Sequence, residues 1–85
     1  MYEYETKGVC ASRIFFDLND GIVRNVRFEN GCNGNLKGIG ALVEGLPAQD
    51  VIQKLRGTLC GRKPTSCPDQ LAQALETAIA KQSAA

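Results

Sequence analysis

The first rhythm of polar and apolar positions along the chain has a period of two. Tyr2-Glu3-Tyr4-Glu5-Thr6 alternates aromatic and charged residues, which predicts a short edge strand with one face on a core. Between Ser12 and Leu18, the residues Ile14, Phe16 and Leu18 alternate with Arg13, Phe15 and Asp17, and Asp20-Gly21 then supplies the residue types of a type I′ hairpin turn. Ile22 to Glu29 is expected to return as the paired strand, with Val26 and Phe28 inward.

After the loop Asn30-Gly31-Cys32-Asn33-Gly34 the period lengthens. Leu36, Ile39, Leu42 and Val43 fall at helical spacing and Gly45 offers a stop, although Gly38 and Gly40 are weak helix formers. Pro47 suits a first turn, and Ala48, Val51, Ile52 and Leu55 form a second apolar stripe that Gly57 closes. The third helix has the clearest signal: Ser66 as cap, Pro68 in the first turn, Asp69 three residues after the cap, and a stripe of Leu71, Ala74, Leu75, Ala78 and Ile79. Lys81 to Ala85 is expected to fray. Three strands followed by three helices predict an α+β class: a three-stranded antiparallel sheet with the helices packed on one face, in a single domain over residues 1–85.

Composition narrows the chemistry. A chain of 85 residues has room for one core, and a core of that size gains from a disulfide, a metal or a partner subunit. No segment approaches the roughly 20 apolar residues that a bilayer requires, and no basic stretch followed by an apolar run opens the chain, so a soluble cytoplasmic protein with no membrane partner is expected. Ten basic residues against nine acidic ones leave a net charge of +1, too little field to attract a phosphate backbone, which argues against a nucleic-acid partner. With no histidine, His-containing zinc sites and catalytic triads are excluded, and chemistry falls to the four cysteines. In a reducing compartment, spaced cysteines are metal ligands, redox groups or small buried hydrophobes.

Cys10 precedes the first hairpin arm and Cys32 follows the second, each about ten residues from the turn, so hairpin geometry returns both to the same open end. Cys32 also precedes the first helix and Cys67 opens the last, positions where free backbone N–H groups favour a thiolate. Cys60 lies in a loop with Arg62 and Lys63, whose charges favour the same form. Four such groups match the Cys₄ ligand set of structural zinc. The intervals between successive cysteines, 21, 27 and 6 residues, are not the short paired gaps of zinc ribbons, and one or two of the four as core filler is the competing reading. Gly38-Ile39-Gly40 lacks the third glycine of a dinucleotide fingerprint, and Gly61-Arg62-Lys63-Pro64 lacks the spacing of a phosphate loop. Glu44, Asp50 and Asp69 are read as carboxylates on solvated faces or helix N-termini, without chemistry.

The run Thr65-Ser66-Cys67-Pro68-Asp69-Gln70-Leu71, with Gly31-Cys32-Asn33-Gly34-Asn35 upstream, resembles the signatures of TSCPD-domain proteins over nearly the whole chain. That family includes small free-standing proteins and C-terminal appendages of cobalamin-dependent ribonucleotide reductases. The resemblance therefore implies a role beside ribonucleotide reduction, with a reductase as partner. A chain this short has no room for a reductase barrel and its cobalamin, so it is not expected to be an enzyme by itself. A more distant likeness is to the U-type iron–sulfur scaffold proteins, whose three cysteine positions match Cys10, Cys32 and Cys67; here Ala11-Ser12 follows the first and Ser66 precedes the third. Three readings follow: a zinc-stapled module held by Cys10, Cys32, Cys60 and Cys67, an iron–sulfur or sulfur-handling scaffold, and a thiol-redox accessory cycling Cys60 and Cys67.

Overall fold

Asp20 and Gly21 both take positive φ, 53° and 78°, as a type I′ turn requires, and fold Arg13–Asn19 (β2) against Ile22–Glu29 (β3). The computed structural model describes residues 1–9, 11–31, 33–58 and 65–84, with Asn33, Ser83 and Ala84 described by their backbone alone. Tyr2–Glu5 (β1) pairs antiparallel with the other edge of β2, giving the sheet order β1-β2-β3. Three helices follow, Asn33–Val43 (α1), Ala48–Leu55 (α2) and Cys67–Ala84 (α3), so the arrangement is the α+β one that the polar–apolar pattern predicts.

Ile14, Phe16 and Leu18 project from one face of β2 and pack with Val23 against Leu71, Ala74, Leu75 and Ala78 of α3; Val43, Ala48 and Val51 complete the same cluster from α1 and α2. Burial of each large side chain here contributes roughly 1.5–3 kcal/mol. Tyr2 stacks on Phe16 with ring centroids 5.4 Å apart, and Gln82 Nε2 donates to the Tyr2 hydroxyl at 2.7 Å. That last contact is one reason α3 continues through Ala84 instead of fraying at Lys81.

One residue of the expected core stands outside it. Leu42 is 77% exposed, while Leu36 and Val43 are buried and Ile39 is half-buried. Leu42 lies six positions after Leu36, about 120° around the helix from that stripe, and the face is completed by Gly40 instead. A Cβ on Gly40 would lie 3.0 Å from the Val26 carbonyl oxygen, so the glycine lets α1 sit close on β3. The α1–α2 connection then runs along the outer edge of β3 near the turn, with Val23 N–H donating to Leu46 O at 2.9 Å and Gly45 N–H donating to Val23 O at 2.8 Å.

The hairpin ladder is not uniform. Next to the turn, Asn19, Leu18 and Asp17 face Ile22, Val23 and Arg24, but beyond Phe16 the register shifts, and Phe15, Ile14 and Arg13 face Arg27, Phe28 and Glu29. One extra residue therefore sits on β3, and Asn25, with φ of 56°, marks the bulge. The shift explains why Val23 is inward together with Val26 and Phe28, which strict alternation along β3 would forbid.

Candidate functional site

Of the four cysteines, the described residues include Cys67, half-buried at the first position of α3 and in no disulfide among them. Cys10, Cys32 and Cys60, with Arg62 and Lys63, lie outside the described residues. Among the described residues there is no group of three or more potential metal ligands. Residues on both sides of position 10, on both sides of position 32 and on both sides of the stretch 59–64 are described, and several of them meet.

Thr6 to Ser12 closes on itself: Thr6 N–H donates to Ser12 O at 3.1 Å and the Thr6 hydroxyl donates to Ala11 O. Ser12 N–H then joins the ladder through Glu29 O at 2.8 Å, and Asn30 Nδ2 donates to Ser12 Oγ at 2.9 Å. Gly31 has φ of 96°, and a Cβ there would lie 3.0 Å from Ala11 N and 2.8 Å from Leu36 Cδ1. Glycine is favoured there by the positive φ and by the close approach of the Ala11 backbone. The residue after Cys10 and the residue before Cys32 are thus in contact.

The same approach recurs at the start of α3. Ser66 Oγ accepts from Asp69 N–H at 3.2 Å, the helix-capping bond that the sequence predicts, and its hydroxyl donates to Thr58 O at 2.6 Å. The segments before and after residues 59–64 are thereby joined. Lys7 N–H donates to Gln70 Oε1 at 3.2 Å, and a Cβ on Gly8 would lie 3.6 Å from Thr65 Cγ2. The strand side of the molecule and the helix start therefore meet at the same end.

Asp69 lies in the first turn of α3, as the sequence reading has it, but not on a solvated face, because its side chain is only 3% exposed. Its Oδ1 accepts from Gly57 N–H at 2.7 Å and from Arg56 Nη1 at 3.1 Å; its Oδ2 accepts from the Thr65 hydroxyl at 2.5 Å and from Gln73 Nε2 at 2.9 Å. Burial pushes the carboxyl's pKa upward, and the bonds from Thr65, Gly57, Gln73 and Arg56 together outweigh it, leaving the pKa below its ordinary value. Thr65 also accepts from Gln70 Nε2 at 3.0 Å. Arg56 is raised, first by its bond to Glu76 and then by Asp69. Thr65 and Gln70 entered the sequence reading only as part of the signature run, and Arg56 and Gln73 not at all; the available signal was the spacing of four from Thr65 to Asp69 and from Asp69 to Gln73. Glu44 and Asp50 are exposed, as expected.

The described residues define a small α+β domain in which the N-terminal end of β2, the end of β3 and the start of α3 meet at one end. The family model of the TSCPD domain matches residues 2–79, so the chain belongs to the TSCPD-domain family. No curated protein and no solved structure matches it significantly. No helix among the described residues is long and apolar enough to cross a membrane.

Proposed function

We propose that this chain is a four-thiolate metal-binding domain in which Cys10, Cys32, Cys60 and Cys67 hold one zinc ion, and that it serves a partner in ribonucleotide reduction. The observation that carries the metal reading is the convergence of the flanking segments: Ala11 on Gly31, Gly8 on Thr65, and Thr58 on Ser66. Ala11 follows Cys10 and Gly31 precedes Cys32 in the sequence, which supports the reading that those two thiols belong to one site.

The donor set fits a closed structural site, since four thiolates satisfy zinc fully and leave no position for substrate. When bound, zinc supplies a cross-link between the hairpin end and the helix start, and its binding free energy adds to folding free energy. The link to ribonucleotide reduction rests on the family resemblance.

The test is metal analysis of reduced protein purified without oxygen. About one zinc per chain, with sulfur-only coordination near 2.3 Å, is expected. Serine at each of the four cysteine positions in turn should lower both zinc affinity and Tm. Binding no tighter than micromolar would refute the proposal. Iron with acid-labile sulfide would replace it with the scaffold reading. Loss of disulfide-reducing activity alone in Cys60→Ser and Cys67→Ser, with Cys10→Ser and Cys32→Ser silent, would replace it with the thiol-redox reading.

A further inference from the structure

The strand β1 forms one margin of the sheet, and among the described residues nothing pairs with its outer side. Which of its backbone groups face outward follows from a single bond. Thr6 N–H donates to Ser12 O, toward β2, and Thr6 opposite Ser12 continues the register that sets Glu5 against Arg13. Backbone groups alternate in direction along an antiparallel strand, so Tyr2 and Tyr4 also turn theirs to β2, while Glu3 and Glu5 present N–H and C=O outward. Lys7 lies in the same outward phase, and its N–H is taken by Gln70 Oε1 at 3.2 Å. At the opposite end, Gln82 Nε2 holds the Tyr2 hydroxyl. The helix α3 therefore runs antiparallel to β1 and is tied to it at both ends, which leaves Glu3-Tyr4-Glu5 as an open window. Between the ties lies a concavity of about 260 Å³, open to solvent, lined by Tyr4 and Phe16 on the sheet side and by Ala74, Thr77, Ala78 and Lys81 on α3.

We propose that this window is a docking edge for an extended segment of a partner protein that reads basic, apolar, basic in succession, added to the sheet as a fourth strand antiparallel to β1. The pattern follows from the two faces. Opposed residues of paired strands share a face, so the residues opposite Glu3 and Glu5 lie with those exposed carboxylates, and the residue between them, opposite Tyr4, points to the concavity. Basic side chains complement the carboxylates. Arg13 already reaches Glu3 at 3.8 Å, whereas Glu5 makes no ion pair among the described residues, so the position opposite Glu5 contributes more. On the concave side, Ala74 and Ala78 leave room for an apolar side chain, and Lys81 disfavours a basic one. Backbone bonds exchanged with Glu3 and Glu5 supply affinity, and the side chains supply selectivity. A second copy of this chain suits the edge poorly: pairing β1 with itself about a two-fold axis sets a glutamate directly opposite a glutamate, which is destabilising. No cysteine takes part, so the docking edge stands apart from the zinc reading.

The experiment titrates fluorescein-labelled Thr-Arg-Val-Arg-Thr, blocked at both termini, with the full chain, reading anisotropy and the amide shifts of the ¹⁵N-labelled protein. Saturable binding with the largest shifts at Glu3 and Glu5 is expected; none at concentrations up to about 1 mM overturns the proposal. Methylating both arginine amide nitrogens, which face β1, should weaken binding about tenfold through two lost hydrogen bonds, and methylating the valine nitrogen, which faces away, should leave it unchanged. Glu5→Gln should weaken binding more than Glu3→Gln, and the double variant Glu3→Lys, Glu5→Lys should prefer Thr-Glu-Val-Glu-Thr. Equal affinity for the two methylated peptides, or for the rearranged Thr-Val-Arg-Arg-Thr, would mean attraction of charge without strand pairing and overturns the proposal. So does a concentration-dependent dimer whose shifts fall on Glu3 and Glu5, because the edge would then be covered by a second copy. The methylated peptides are read on wild-type protein, so they decide the matter even if a glutamate variant fails to fold by circular dichroism.

Discussion

Asn25 holds a left-handed backbone conformation that few side chains tolerate, and two carboxylates keep it there. Its N–H donates to Glu44 Oε1 at 2.8 Å and its Nδ2 donates to Asp17 Oδ2 at 2.8 Å. Asn25→Val places a β-branched residue at positive φ, which should destabilise the protein by about 1–2 kcal/mol in denaturant titration, whereas Asn25→Gly should stay closer to wild type. The same contact predicts a pH effect. Asn25's amide lowers the pKa of Asp17 most, partial desolvation opposes it, and the N-terminal ammonium and Arg27 add to the lowering. A carboxyl lowered on folding contributes stability above its unfolded value and loses that contribution as pH falls through its folded value. Tm should therefore fall less steeply below about pH 4 in Asp17→Asn than in wild type, and equal slopes would contradict the assignment. Little of this was legible in the sequence, where Asn25 reads as an ordinary strand residue whose tolerance of positive φ is the sole hint of a bulge.

At the scale of elements, β1 and β2 were legible because their core-facing residues alternate, and α3 because its cap and stripe agree. The helix α1 was harder. Gly38 and Gly40 looked alike in the sequence, yet a Cβ on Gly38 would meet nothing within 4 Å, while one on Gly40 would press on the Val26 carbonyl. Which glycine is needed depends on the distance between α1 and β3, a property of packing that no local pattern encodes. Gly38→Ala should accordingly stabilise the protein by up to about 1 kcal/mol through helix propensity. Gly40→Ala should forfeit that gain and lower Tm as α1 is pushed from β3. If both substitutions stabilise equally, the close approach is not what holds Gly40 in place.

Across the whole molecule, the sequence singled out the candidate residues and did not say which segments meet around them. Four cysteines in a chain without histidine point to thiolate chemistry, but intervals of 21, 27 and 6 residues do not say which segments touch. The contacts that join them are long-range, Lys7 with Gln70 across 63 positions being one. The buried Asp69 network escaped for the same reason, since its donors come from both sides of residues 59–64.

The covering of the sheet by α3 has a consequence for the order in which the molecule can be made. A chain synthesised from its N-terminus releases the three strands first, and each pairs with its neighbour in sequence at little cost in loop closure. Ile14, Phe16, Leu18 and Val23 then wait uncovered until Leu71, Ala74, Leu75 and Ala78 emerge. Residues 1–66 alone should therefore bind a hydrophobic dye and melt without cooperativity, and a synthetic peptide of residues 67–85 should restore a cooperative transition. A cooperative melt of residues 1–66 without the peptide would show that the sheet is self-sufficient. Because Cys67 opens that same helix, the last of the four cysteines emerges together with the residues that close the core.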